Sequence, residues 1–184
     1  MRLILASRSL QRRAILDQLG VAFEVRVPEV EELVSGPPDE VAVENAYRKA
    51  HAIREQGIDG WVLGADTVVA LGGTIYGKPA DRGEARATLE ALSGRRHAVI
   101  GGLCLLESGA RPRTATTTTA VIFRALDERL LEWYLDSGEW RDRAGAYAIQ
   151  GRGAALVRSI EGDYLNVVGL PVGLLLELEP GLLG

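Results

Sequence analysis

Trp61-Val62-Leu63-Gly64-Ala65-Asp66-Thr67-Val68-Val69-Ala70-Leu71 is apolar at nearly every position and runs into Gly72-Gly73, then Thr74-Ile75-Tyr76. A short, β-branched run bounded by glycine reads as a buried strand, and the glycine pair reads as a hairpin turn into a second, shorter strand. The hairpin implies antiparallel pairing, which a strictly alternating βαβ sheet would not contain. In a strand, positions 62, 64, 66, 68 and 70 share one face, so Asp66 stands among Val62, Gly64, Val68 and Ala70. An ionised carboxylate on such a face must be paired, hydrogen-bonded or metal-bound. Asp66 is therefore either a structural aspartate held by backbone amides or a functional one, with small neighbours that let a ligand approach.

Working outward, Arg2 to Ala6 reads as a strand and Ser9 as the N-cap of a helix over Leu10 to Leu19, ended by Gly20. Ala22 to Val27 alternates like a strand. Pro28 to Pro38 is an acidic loop, and a helix follows from about Asp39 to Gln56. Beyond the hairpin, Asp81 with Glu84 opens a helix to Leu92. Strands are predicted at His97 to Leu106 and Thr114 to Arg124, a helix capped by Asp127 to Asp136, a glycine-bearing loop over Gly138 to Gly153, a strand at Ala155 to Ile160 and a helix from Pro171 to Leu178. The fold class is α/β with a mixed sheet, and strand order does not follow from the pattern.

The 184 residues are 47% hydrophobic and 25% charged, which suits one globular domain over 1–184 and excludes general disorder. A net charge of −4 supplies no global basic field, so no nucleic-acid partner is expected. No apolar run reaches the roughly 18 residues of a membrane span, and Met1 to Ala6 lacks a secretory core; the expectation is a cytoplasmic protein with no membrane partner. The single cysteine, Cys104, excludes an internal disulfide. Of 21 lysines and arginines, only Lys49 and Lys78 are lysine. Chance drift toward arginine accounts for this, or else those two places need a compact ammonium.

Four groups of residues could carry chemistry. Ser7-Arg8-Ser9 precedes a helix whose first turns hold Gln11, Arg12 and Arg13; free N–H groups, hydroxyls and the helix dipole favour an anion there, the alternative being a capped helix with solvated arginines. Glu29, Glu31 and Glu32 form either a solvated face or, with Asp66, oxygen ligands for Mg²⁺. Lys49 falls in the apolar stripe Ala42, Ala46, Ile53, where its stem either snorkels or delivers its charge to a site, and Lys78 sits in a stiff Gly77-Lys78-Pro79 turn. Ala144 to Gly151 is rich in small residues and ends in Gln150, whose amide can read a base edge.

Six segments in order, Leu3-Ile4-Leu5-Ala6-Ser7-x-Ser9, Val62 to Val69, Gly77-Lys78-Pro79, Leu92-Ser93-Gly94-Arg95-x-His97, Ala144-Gly145-x-Tyr147-x-Ile149-Gln150-Gly151 and Val167-Val168-Gly169-Leu170-Pro171, resemble the Maf (septum formation protein) family of nucleoside triphosphate pyrophosphatases. The resemblance implies an elongated, twisted mixed sheet with flanking helices and two lobes around a central cleft, similar to inosine triphosphate pyrophosphatases. It also implies hydrolysis of a nucleoside triphosphate between the α and β phosphates, a divalent cation (Mg²⁺ or Mn²⁺) and a homodimer. Carried over residue by residue, Ser7, Arg12 and the adjoining Arg13 would bind substrate, Lys49 and Lys78 would face it, Glu32 and Asp66 would hold the metal, and Asp66 would be the general base.

Thr67 after Asp66, and Ile149-Gln150-Gly151, look like the branch acting on dTTP and UTP; the 7-methyl-GTP branch carries glutamate where Gln150 stands. The usual Pro-Arg-Arg reads Leu10-Gln11-Arg12 here, Arg143 replaces a common lysine and Gly101 a common threonine. Because the position of Gln11 separates the branches, another base preference stays open, as does a non-catalytic, nucleotide-binding regulator of cell division.

Overall fold

A computed structural model describes residues 2–183. In chain order the elements are β1 (Leu3–Ala6), α1 (Leu10–Gln18), β2 (Phe23–Arg26), α2 (Pro38–Arg54), β3 (Trp61–Leu71), β4 (Thr74–Tyr76), α3 (Arg82–Leu92), β5 (Arg96–Leu106), β6 (Arg113–Phe123), α4 (Glu128–Asp136), β7 (Val157–Glu161), α5 (Tyr164–Val168) and α6 (Val172–Leu178). Asp side chains cap three of the helices: Asp81 accepts from Glu84 N, Asp127 from Leu130 N and Asp163 from Leu165 N. Two local departures from the sequence reading stand out. Ala155 closes a 3₁₀ turn (Arg152–Ala155) and does not begin a strand. The five-residue α5 is too short to show a helical period.

Among the described residues one mixed sheet joins seven strands in the order β2-β1-β3-β5-β6-β7, with β4 also beside β3. β1 runs parallel to β2 and β3, and the remaining pairs are antiparallel. The 11-residue strands β3, β5 and β6 form a spine of ~35 Å. β5 lines one edge of β3 over residues 62–70. On the other edge β1 pairs with residues 61–64 and β4 with 69–71. Residues 65–68 therefore have no strand partner on that edge among the described residues, which leaves a gap in the strand pairing with Asp66 and Thr67 at its centre.

The even-numbered face of β3 and β5 is covered by α2. Val62, Cys104 and Ile4 pack there with Ala46, Ala50 and Ile53, and Val68, Ala70 and Ile100 pack with Val41 and Ala42. The odd face carries two separate cores. Leu63, Ala65, Leu103 and Leu105 meet α1 and α6, whereas Val69, Val99, Val121 and Phe123 meet α3 and α4. Between them the register row Thr67–Gly101–Thr117 crosses the sheet. Asn166 of α5 lies on Gly101, donating to Val99 O at 3.0 Å and to Thr119 Oγ1 at 3.1 Å. A Cβ at residue 101 would overlap Asn166 Oδ1, so glycine at this position makes room for the asparagine. The two-lobed organisation thus has a physical basis: two apolar cores on one sheet, divided by a polar seam. Among the described residues no helix is long and apolar enough to cross a membrane.

Two glycines set how closely α2 approaches. A Cβ on Gly64 would overlap Ala46 O and reach within 2.9 Å of Ala50 N; one on Gly102 would overlap Ala42 O and lie 2.7 Å from Val43 N. Gly64→Ala should cost about 3 kcal/mol in denaturant unfolding because backbone, not a flexible side chain, must yield. Gly173→Ala, in open space on α6, should stabilise by about 0.5–1 kcal/mol.

His97 is buried in the core near α3 and α4, with Nε2 3.0 Å from the Tyr147 hydroxyl and its ring edge-on to Phe123. Burial pushes its pKa down from 6.5 to about 4. Between those values the unfolded chain takes up a proton and the folded protein does not, so stability falls as pH drops through this window and levels off below it. His97→Gln should remove an acid-linked loss of about 2 kcal/mol, read from unfolding curves at pH 7 and pH 4.5.

Candidate active site

Small residues on α2 and glycines on the sheet bring helix backbone against strand backbone, and this contact aims two polar side chains of α2 at β3. Asn45 and Lys49 lie one turn apart in the buried stripe Val41, Ala42, Asn45, Ala46, Lys49, Ala50, Ile53. The Lys49 ammonium donates to Asp66 Oδ1 at 2.6 Å and sits 2.9 Å from Glu32 Oε1. Asn45 Nδ2 donates to Asp66 Oδ2 at 3.1 Å. The Lys49 and Asp66 side chains are each 9% exposed, whereas Glu32 is 40% exposed. The stripe lysine therefore does not snorkel to solvent. It is a buried cation shared by two carboxylates.

On the other face of β3, α1 builds a second cluster. Ser9 caps the helix by accepting from Arg12 N, and its hydroxyl donates to Gln11 Oε1 at 3.2 Å. Ser7 Oγ accepts from Ser9 N and from Arg12 Nη1, both at 3.1 Å. Arg12 also donates from Nη2 to Thr67 Oγ1 at 3.2 Å and from Nε to Gly169 O at 2.8 Å. A cation near a helix N-terminus is electrostatically unfavourable, and here the guanidinium turns instead to a carbonyl at the C-terminal end of α5. Burial lowers the pKa of Arg12, and the charges of Asp66 and Glu32 oppose that shift. The two clusters are electrostatically in touch across the opening in the β3 edge.

The remaining expected residues lie farther out. Arg13 is half-buried, and its Nε has no hydrogen-bond partner among the described residues. Lys78 is exposed and forms no ion pair among the described residues; its loop is fastened where Gly145 N donates to Gly77 O at 3.1 Å. Gln150 is exposed, on a turn pinned from below by Glu139, whose carboxylate accepts from Arg152 N and Gly153 N at 3.0 Å each. Glu29 and Glu31 are exposed and do not join Asp66. Sequence reasoning passed over Asn45 and Glu139. The Gly151-x-Gly153 spacing, typical of backbone that cradles an anion, was the available signal for Glu139. For Asn45 the signal was a polar residue inside an apolar stripe.

A family model described as Maf-like protein matches residues 2–179. The chain belongs to the Maf family. It is 48% identical over 172 residues to a dTTP/UTP pyrophosphatase of Symbiobacterium thermophilum, covering 92% of this chain and 88% of that one. It is 46% identical over 181 residues to a dTTP/UTP pyrophosphatase of Deinococcus radiodurans, covering 98% and 92%. Among solved structures, a HAM1 protein from Coxiella burnetii shares the fold at a TM-score of 0.52 and 22% identity, covering 84% of this chain and 91% of that one. The mixed α/β sheet expected of a Maf protein is the one observed.

A buried ion pair is costly to break from one side only. Lys49→Met should lower unfolding stability by about 3 kcal/mol, since it leaves the buried Asp66 carboxylate without its cationic partner. Adding Asp66→Asn to that variant should recover part of the loss in a double-mutant cycle.

Proposed function

We propose that this Maf protein hydrolyses dTTP and UTP between the α and β phosphates, releasing the nucleoside monophosphate and pyrophosphate. The observation that carries the reading is Asp66 held between Asn45 and Lys49 at the open edge of β3, with the Ser7–Arg12–Thr67 cluster on the opposite face. The names of the relatives support the substrate pair, and Thr67 and Gln150 are the residues by which this chain resembles that branch.

In the mechanism, the triphosphate enters the opening and meets the Arg12 guanidinium, the Ser7 hydroxyl and the first turn of α1. Arg13 adds charge on the same helix, and Lys78 approaches from the loop after β4. The Lys49 ammonium, shared by Asp66 and Glu32 in the free protein, turns part of its donor capacity to phosphate oxygens. That leaves Asp66 Oδ1 to orient a water in line with the α-phosphorus and take its proton. A bond forms from the water oxygen to that phosphorus, the bond to the bridging oxygen breaks, and pyrophosphate leaves. Gln11, Thr67 and Gln150 set the base preference.

The donor set suits a divalent cation. Glu32 and Asp66 are hard carboxylates that both reach the Lys49 ammonium, so a metal held by them would lie beside that ammonium, and among the described residues no group of three or more His, Cys, Asp or Glu joins them. Mg²⁺ typically takes one or two carboxylates and completes its shell with substrate phosphate and water. When bound, it would neutralise phosphate charge and acidify water.

The test is a panel of canonical, methylated and halogenated triphosphates with Mg²⁺ or Mn²⁺, following pyrophosphate release. dTTP and UTP should be turned over fastest, and Asp66→Asn should cut kcat by about 10²–10³-fold while nucleotide still binds. A preference for 7-methyl-GTP would overturn the substrate assignment. Absence of turnover across the panel would overturn the enzyme reading in favour of a nucleotide-binding regulator.

A further inference from the structure

We infer that Asn45 is a positioning residue of this site: one carboxamide fastens the acidic loop to the Asp66 carboxylate, so that Glu32 and Asp66 are delivered together to Lys49. The inference rests on the hydrolytic reading above and goes beyond it, because Asn45 touches no reacting atom.

Asn45 is 2% exposed and lies one turn before Lys49 on α2. Its Oδ1 accepts from Leu33 N at 2.7 Å, and its Nδ2 donates to Leu33 O at 3.0 Å and to Asp66 Oδ2 at 3.1 Å. Both main-chain groups of Leu33 are thus satisfied by one side chain, as a neighbouring strand would satisfy them. Leu33 directly follows Glu32 in a segment, residues 27–37, with no helix or strand of its own. The only other side-chain hydrogen bond to that segment's backbone among the described residues is from Arg48 Nη1 to Glu31 O at 3.3 Å. The direction in which Glu32 projects therefore depends on the grip at Leu33.

The chemistry selects asparagine. Both N–H bonds of the amide and one lone pair of its oxygen are used, and each partner demands the orientation observed. Turned over, the amide would set Oδ1 against two acceptors, Leu33 O and Asp66 Oδ2, and Nδ2 against an N–H. Aspartate would place a second carboxylate against Asp66. Leucine would fit the stripe and leave three polar groups without partners. Asparagine is a poor choice for a helix interior on propensity alone, so its presence here is explained by what it holds.

The experiment compares the wild type with Asn45→Leu and Asn45→Asp, using amide hydrogen exchange without nucleotide or metal alongside steady-state kinetics on dTTP with Mg²⁺. Asn45→Leu should speed exchange in residues 29–36 by about tenfold or more, leave α2 and β3 protected, and lower kcat by about tenfold or more with KM changed less than about threefold. Asn45→Asp keeps an acceptor for the Leu33 amide, so its loop should exchange more slowly than in the leucine variant while kcat still falls. An unchanged kcat in both variants overturns the inference. So does loosening spread evenly over α2 and β3, which would mark Asn45 as packing alone. A wild type without turnover on the whole triphosphate panel would instead sink the hydrolytic reading, and the exchange data would still decide whether Asn45 holds the loop.

Discussion

Helix α2 lies on the sheet with nothing but hydrogen atoms where Gly64 and Gly102 meet the backbone of Ala42, Ala46 and Ala50. That approach is the constraint on which the site depends. A helix held one side-chain layer farther away would leave Lys49 and Asn45 unable to reach Asp66. Small residues along one stripe thus convert a packing contact into an electrostatic one. A buried ion pair often does little better for stability than an apolar replacement of both partners, so stability alone does not account for Lys49 and Asp66. What the pair provides is a carboxylate and an ammonium held at fixed places away from bulk water.

The two clusters occupy opposite faces of one strand because Asp66 and Thr67 are consecutive residues, and consecutive side chains in a strand point opposite ways. Arg12 completes the arrangement by reaching from α1 to Ser7 beyond β1, to Thr67 on β3 and to the end of α5 at Gly169. One side chain therefore ties together the pieces around the opening. The same level of the sheet carries the seam of Gly101 and Asn166 between the two apolar cores. Polar groups can gather there without cutting through a continuous core.

Much of this was legible from the sequence, for identifiable reasons. Strands announced themselves by apolar runs ending in glycine, and helices by Ser9, Asp81 and Asp127 at their caps. Lys49 was visible as a charge inside an apolar stripe, and Asp66 as a charge on an apolar strand face. Strand order was not legible, because the pairing of β1 with β3 joins segments more than fifty residues apart and local pattern carries no record of it. Asn45 was marked only as a polar residue in an apolar stripe, and its role was not legible because its partners, Leu33 and Asp66, meet only after α2 has docked. Lys78 and Gln150 were singled out from their neighbours along the chain, and both are exposed, without side-chain partners among the described residues of the kind that hold Lys49, Asp66 and Arg12.

The opening in the edge of β3 has a further consequence. Unpaired strand backbone invites other chains to add a strand and so to aggregate. Here the unpaired stretch is four residues, 65–68, of which Ala65, Asp66 and Val68 are buried, bounded at one end by β1 and at the other by β4. A foreign strand would have to squeeze into a slot shorter than most strands. The fold therefore keeps this gap in its edge too short to take up a second polypeptide as an added strand.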